Sequence, residues 1–427
     1  MSDSMEIAVL FGTFILLLVL RVPLAFGLAA ATLLTMLTAG IPPMLLVERL
    51  YAALDYFPLL AIPFFILAGY LMNEGKIADR FIDLAYALVG HIRGGLAQVN
   101  VVVSMMFAMV SGTASADTAG TGSVLIPAMV KKGYAPGFSA AITAASSTMG
   151  AIIPPSVLMI VYGSLANLSI SKLFLAGVVP GLAVGLSQMA IAYRRAIKDN
   201  HPRETEVSLP FIAKSLRRAL LPLGVPLIIV GGILAAWFTP TEAGVVAVAY
   251  SIVVIALLRT IPLRSLPNIT RSAALMVALP TFAIAASVAF GWMVAYLKLP
   301  DIISGVMAMY EFGPTASLFV IIAIFLVMGC FIDGVPAMII FLPIAQKIAA
   351  TTGIDPLHMA MIIVMTAALG LITPPFGLCI LIAGRIAGVS TPVIVRETMI
   401  FVWAILALIL LMVLFPEIVL FLPNLLG

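Results

Sequence analysis

The sequence predicts an all-α polytopic membrane protein built from two inverted-topology repeats, each with a re-entrant hairpin and a broken helix. Three observations carry that expectation. Hydrophobic residues make up 63% of the 427 residues and charged residues 9%, against roughly a quarter charged in soluble domains. The 22 Lys and Arg with the 18 Asp and Glu cannot clothe a soluble globule. Several apolar stretches approach the roughly 20 residues that a helix needs to cross a bilayer. Structure-breaking residues also recur at a nearly constant offset: Pro23 with Pro240, Gly27 with Gly244 and Pro63 with Pro280. After small insertions Pro127 matches Pro343, and Gly150-Ala-Ile-Ile-Pro-Pro155 matches Gly370-Leu-Ile-Thr-Pro-Pro375.

Apolar runs give crossings at 5–22, 24–40 and 57–73. Lys76, Asp79, Arg80, Asp83 and Arg93 then recur among Ile77, Phe81, Ile82, Leu84 and Ile92, the pattern of an amphipathic interfacial helix or of a solvated loop helix. Residues 97–130 hold two apolar pieces of roughly 8 to 14 residues around small and polar ones, each too short to cross singly, and read as hairpin one. A crossing at 138–163, broken by its proline pair, and one at 173–193 complete the first repeat, residues 1–193. The polar stretch 194–218 is a linker. The second repeat, 219–427, holds crossings at 219–238, 241–258 and 275–297, an amphipathic segment at 301–311, hairpin two at 314–345, a broken crossing at 357–383 and a crossing at 398–420. Thr239-Pro-Thr-Glu242 reads as a capping box at the start of 241–258. Five crossings and a hairpin are an odd number, so the second repeat starts on the opposite face. That arrangement typifies secondary transporters, with the site at the repeat interface.

With the N-terminus outside, eighteen of the 22 Lys and Arg face the cytoplasm, the linker among them, and only Arg49, Lys172, Lys298 and Lys347 lie outside. The positive-inside rule selects this orientation. The net charge of +4 does not point to nucleic acid, because the cations sit between apolar segments instead of clustering with aromatics. Cys330 and Cys379 form no disulfide framework, and His91, His201 and His358 lack ligand spacing. No basic n-region precedes the first apolar run, which is expected to remain as a helix. The nearest string to a phosphate loop, Gly69 to Gly75-Lys76, has the wrong spacing, so ATP is not an expected cofactor.

Three motifs carry chemistry. Ser111–Gly122 has no large apolar side chain and reads as the turn of hairpin one, exposing backbone and hydroxyls that must be buried in protein or line a wet cavity. Close helix packing explains its small residues equally well, but not Asp117. Hairpin two turns at Gly329–Pro336, where Asp333 occupies a place related to that of Asp117. Both carboxylates stand beside half-helix N-termini, whose positive ends favour an anion. Each also suits a helix cap, and both readings stay open. The proline pairs are the sharpest signal: proline has no N–H, so Pro154 and Pro155 free the carbonyls of Gly150 and Ala151, and Pro374 and Pro375 those of Gly370 and Leu371. Bare carbonyls beside Ser146, Ser147, Thr148 and Thr373 suit a hard monovalent cation. The hairpin hydroxyls Thr113 and Ser115, with Ser147 across the cleft, are expected to border a substrate carboxylate, with Asp117 and Asp333 beside them.

Taken together, Ser111–Asp117, Gly150–Pro155, Thr239–Glu242 and Gly370–Pro375, in one order across the whole chain, resemble the large, DctM-like membrane subunit of the TRAP (tripartite ATP-independent periplasmic) transporters. The resemblance implies an elevator-type transporter, a scaffold plus a transport domain, in the bacterial inner membrane with both termini periplasmic. It implies symport driven by a sodium gradient, a small four-helix membrane partner (DctQ-like) and a periplasmic substrate-binding protein. It implies a carboxylate-bearing solute: a dicarboxylate, a sugar acid such as sialic acid, or a compatible solute such as ectoine. It also implies two sodium sites, one at Ser111, Gly150, Ile153 and Pro155 and the other at Gly329, Gly370, Thr373 and Phe376. The chain has no additional N-terminal four-helix segment, so the small subunit is expected as a separate polypeptide. The competing readings are a passive channel, which also uses hairpins and small residues, and an intramembrane aspartyl protease with Asp117 and Asp333 as its dyad. The latter leaves the proline breaks unexplained, and no enzymatic activity is expected.

Overall fold

The computed structural model describes residues 3–55, 57–77, 79–201, 203–206, 208–375 and 377–426. Among the described residues the regular structure is all helical, without strands. The first half comprises α1 (Asp3–Val19), α2 (Leu24–Thr38), α3 (Met44–Leu54), α4 (Ala61–Glu74), α5 (Asp79–Val89), α6 (Gly95–Ser111), α7 (Ala114–Lys131), α8 (Pro136–Ser147), α9 (Val157–Ala166) and α10 (Ile170–Lys198). The second comprises α11 (Leu209–Pro226), which continues through a π-helical turn into α12 (Gly232–Leu234), then α13 (Pro240–Leu258), α14 (Leu266–Tyr296), α15 (Leu299–Met309), α16 (Pro314–Gly329), α17 (Gly334–Thr352), α18 (Pro356–Gly370), α19 (Leu378–Ala387), α20 (Thr391–Leu414) and α21 (Glu417–Leu426). Among the described residues six helices are long and apolar enough to cross a membrane, including Ile170–Lys198, Leu209–Leu234 and Thr391–Leu414. The chain is a multi-pass, all-helical membrane protein.

The helices sort into two neighbourhoods. At the periphery α13 packs on α4, α14 on α2, and α1 on α2. At the centre α6 and α7 pack on each other and on α8, α16 on α17 and α18, and α19 on α7 and α8. Glycines permit the closest approaches there: a Cβ on Gly181 of α10 would lie 2.5 Å from Ile153 Cγ1, and one on Gly177 would lie 2.6 Å from the Ile152 carbonyl. Small residues one helical turn apart let membrane helices meet at the backbone. The short helices α5 and α15 lie between the neighbourhoods, α5 on α6 and α11, α15 on α17 and α14.

Several boundaries differ from the sequence reading for identifiable reasons. The hairpin arms are helices of 17, 18, 16 and 19 residues, longer than the apolar pieces, because they continue through small and polar residues such as Gly120, Thr121 and Gln346. Only Gly112 and Thr113 form the turn of hairpin one. The remainder of the small-residue run is the start of α7. Helix α3 has no counterpart among the expected elements because Glu48 and Arg49 interrupt its apolar pattern, yet it packs on α14 with the Arg49 guanidinium 4.9 Å from the centre of the Trp292 ring. The last crossing divides at Phe415 and Pro416, where proline cannot continue the ladder.

The 194–218 stretch is helical at both ends, and the segment between them is docked. The Glu204 and Thr205 N–H groups donate to the Gly90 carbonyl at 3.0 and 3.3 Å, and the Glu204 carboxylate, 2% exposed, pairs with Lys132 at 2.9 Å. That hydrogen bond pushes the Lys132 ammonium pKa upward. The linker thus ties the end of α5 to the base of hairpin one. At α13 the capping box forms as expected, the Thr239 hydroxyl accepting the Glu242 N–H while the Glu242 carboxylate accepts the Thr239 N–H at 2.7 Å.

Candidate functional site

Each hairpin tip rests on the break of one interrupted helix. At the first, α8 ends in a 3-10 turn, Thr148–Ala151, and α9 restarts at Val157 under a cap from Ser156. Gly112 takes the left-handed conformation (φ 62°) that its lack of a Cβ permits, and its carbonyl accepts the Val157 N–H at 3.0 Å. A Cβ on Gly112 would stand 2.9 Å from the Pro155 carbonyl oxygen, and one on Gly150 would stand 2.8 Å from the Thr113 carbonyl oxygen. Hairpin tip and break therefore meet backbone to backbone. At the second break a Cβ on Gly370 would lie 2.7 Å from Gly329 Cα. Ser111, Gly150, Ile153 and Pro155 are buried together, as are Gly329 and Gly370, with Thr373 half-buried beside them. Phe376 lies outside the described residues.

The carbonyls at the breaks are less bare than the prolines alone imply. Ala151 accepts the Ser156 hydroxyl at 2.6 Å, Gly370 accepts the Thr373 N–H at 3.1 Å, and Leu371 accepts the Cys379 N–H at 3.1 Å. Nearby donors replace those that the prolines lack. Each carbonyl keeps a second lone pair. The Thr373 hydroxyl donates to the Leu369 carbonyl at 2.7 Å, which leaves its own oxygen available as an acceptor.

A cavity of about 280 Å³ opens between the two tips and the periphery. Its inner wall is Gly112–Ala116 of hairpin one, Asp333, Val335 and Pro336 of hairpin two, and Leu158 and Leu371 from the helix breaks; its outer wall is Pro23 and Leu24, Ile62, Ile66 and Tyr70 of α4, and Met276, Leu279, Pro280 and Ala283 of α14. Thr113, Ser115 and Asp333 line it. Asp333 also caps α17, accepting the Gly334 N–H at 2.9 Å. Asp117 and Ser147 do not line it. Both are fully buried behind hairpin one, where Ser147 donates to the Thr143 carbonyl at 2.8 Å. The reason is helical: α7 begins at Ala114, so Ser115 and Asp117 point to opposite sides at about 3.6 residues per turn. The cavity presents Asp333 and no second aspartate, so Asp117 and Asp333 do not face the common space that an aspartyl dyad requires. The outer wall leaves little trace in the sequence beyond Pro23 and Pro280, two of the repeating prolines, which both line it.

The family described as "Tripartite ATP-independent periplasmic transporter, DctM component" matches residues 11–418. The chain belongs to this TRAP transporter family. The sialic acid TRAP transporter permease protein SiaT of Haemophilus influenzae is 35% identical, covering 100% of this chain and 69% of that protein. The C4-dicarboxylate TRAP transporter large permease protein DctM of Pseudomonas aeruginosa is 37% identical over 89% of each chain. The ectoine/5-hydroxyectoine TRAP transporter large permease protein UehC of Ruegeria pomeroyi is 34% identical over 98% of this chain and 99% of its own. In this member of the TRAP family the hairpin tips and helix breaks meet at the centre of the fold.

Proposed function

We propose that this TRAP permease carries a carboxylate-bearing solute inward by sodium symport, with sodium held where each hairpin tip meets a helix break. The observation that carries the reading is the twin backbone contact, Gly112–Thr113 on Gly150–Pro155 and Gly329 on Gly370. Oxygen-rich, unwound backbone in a dry setting is how transporters commonly hold sodium. The relatives named for sialic acid, C4-dicarboxylates and ectoine support a small organic anion or zwitterion. The tripartite family name supports delivery by a periplasmic binding protein and association with a small membrane subunit in the inner membrane.

The two halves follow the same element order, α6–α10 and α16–α20, with α9 starting at 157 and α19 at 378, which supports inverted repeats. The two hairpins and broken helices move as one body against the peripheral helices, with α5 and α15 as arms. Helices α10 and α20, which apolar length alone groups with the scaffold, travel with that body: α20 packs on α8, α10 and α18, and α10 on α6 and on the first break.

Three variants test the sites. Thr373→Val keeps shape and removes the hydroxyl oxygen, so the sodium concentration for half-maximal uptake should rise roughly tenfold at near-normal protein abundance. Unchanged sodium dependence removes Thr373 from the ligand shell. Thr113→Ala and Ser115→Ala should each raise KM for solute with kcat less affected, measured by uptake kinetics in proteoliposomes. Unaltered kinetics at normal expression would exclude them from the substrate site.

A further inference from the structure

The polar segment between α10 and α11 is fastened along its length, away from the cavity and from both helix breaks. The His201 ring stacks on Tyr134, in the turn between α7 and α8, with ring centres 3.9 Å apart. The Glu204 carboxylate pairs with Lys132 at the base of hairpin one, and the Glu204 and Thr205 N–H groups both donate to the Gly90 carbonyl at the end of α5. The Tyr86 hydroxyl of α5 donates to the Glu204 carbonyl at 3.4 Å. Glycines make the seat: a Cβ on Gly95, the first residue of α6, would stand 2.9 Å from Glu204 Cγ, and one on Gly90 would stand 3.0 Å from the Thr205 hydroxyl oxygen. The other end of α5 is held by the periphery. There the Arg80 guanidinium donates at 2.9 Å to the Arg218 carbonyl of α11, which Pro222 leaves without its helical donor, and α11 packs on α13.

We infer that residues 201–205 form a strap that makes the α5 arm and the linker one hinge, with Glu204 and Lys132 as the positioning pair that fixes it to hairpin one. The chain passes from periphery to centre through α5 and returns through the linker into α11, so both tethers of the first half meet at Gly90. Joined there, they do not flex independently. The end of the arm travels with the base of hairpin one, and bending falls at the Arg80 end of α5 and at residues 206–208 before α11. Without the strap, α5 would swivel at Gly90 and at Gly94, which is left-handed at φ 71°, and the moving body would lose its guide. The enclosure of the Glu204 carboxylate makes this pair a firm joint, because salt screens a partly buried pair far less than an exposed one. The corresponding pair at hairpin two, Lys347 of α17 with Asp301 of α15 at 3.0 Å, is 46% and 59% exposed and contributes little of this kind. The inference rests on the reading of the hairpins and broken helices as one moving body.

The test is a set of distances between paired spin labels on the full chain, purified with its small membrane subunit, with Cys330 and Cys379 replaced, and measured in lipid in sodium chloride and in choline chloride. Labels at Lys131 and Arg203 span the strap, and labels at Leu257 of α13 and Trp403 of α20 span periphery and moving body; all four positions are exposed. The 131–203 pair should give one narrow distance in both salts, while the 257–403 distance shifts between them. Lys132→Met should at least double the width of both distributions, and Lys132→Arg, which keeps the ion pair, should leave both narrow. The Lys132 side chain is 57% exposed, so neither variant disturbs a packed core. A 131–203 distance that changes with the salt overturns the fixed joint and makes the strap a latch that opens in each cycle. A 257–403 distribution that stays narrow in Lys132→Met overturns it as well, since a merely local fastening would loosen only the pair across the strap. A wild-type 257–403 distance that is the same in both salts overturns the moving body, and the strap's role with it.

Discussion

A crosslink fixing Ser115 of hairpin one to Leu279 of α14 is expected to abolish uptake while leaving sodium binding measurable. The two residues line one cavity from opposite walls, Ser115 on the central body and Leu279 on the periphery. In the proposed mechanism that body slides past the periphery with both break sites intact, because exposed carbonyls would be costly if the ligand shell came apart in lipid. A tether across the sliding surface stops the motion without touching either break. The experiment uses cysteines at 115 and 279 in a background where Cys330 and Cys379 are replaced, a bifunctional thiol reagent, and uptake assayed before and after reductive release. Full uptake through the crosslinked protein would favour local gating around a stationary site.

Gly370→Ala should reduce uptake to background, and the size of the effect follows from which atoms stand in the way. The new methyl would meet Gly329 Cα at 2.7 Å and the Gly329 carbonyl oxygen at 2.9 Å. Both are backbone, and no side chain can rotate to make room. Overpacking of this kind costs about 1–3 kcal/mol, and here it falls on the contact between hairpin two and its break. Gly305→Ala, in α15 where nothing lies within 4 Å of the added methyl, should keep normal uptake. Uptake in Gly370→Ala equal to that of Gly305→Ala would contradict the tip-on-break contact as the functional centre.

The features that punctuate the backbone are legible in the sequence, and those that depend on side-chain direction are not. Prolines act locally, so helix interruptions at Pro154-Pro155 and Pro374-Pro375 and a turn following Gly329 are legible, whereas the run Ser111–Gly122, read whole as a turn, contributes only Gly112 and Thr113 to it. The fate of Asp117 depends on where α7 begins. Read as part of a long turn, the residue belongs to the cavity; placed in the first turn of a helix starting at Ala114, it points the other way. The carbonyl partners at the breaks are equally hidden, since Cys379 reaches Leu371 across eight positions only after the chain has folded over the break. Helix α3 and the docked Glu204 segment are held by contacts distant in sequence, Trp292 for one and Lys132 for the other, and neither leaves a periodic signal.

Coupling to sodium is tested by solute uptake into proteoliposomes holding this chain, its small membrane subunit and the solute-loaded binding protein, with and without an inward sodium gradient. Accumulation above the external concentration only when the gradient is imposed, lost when potassium replaces sodium, is the expected result. Equilibration at the same rate in either salt, never passing the external concentration, would contradict the account and make the protein a passive channel.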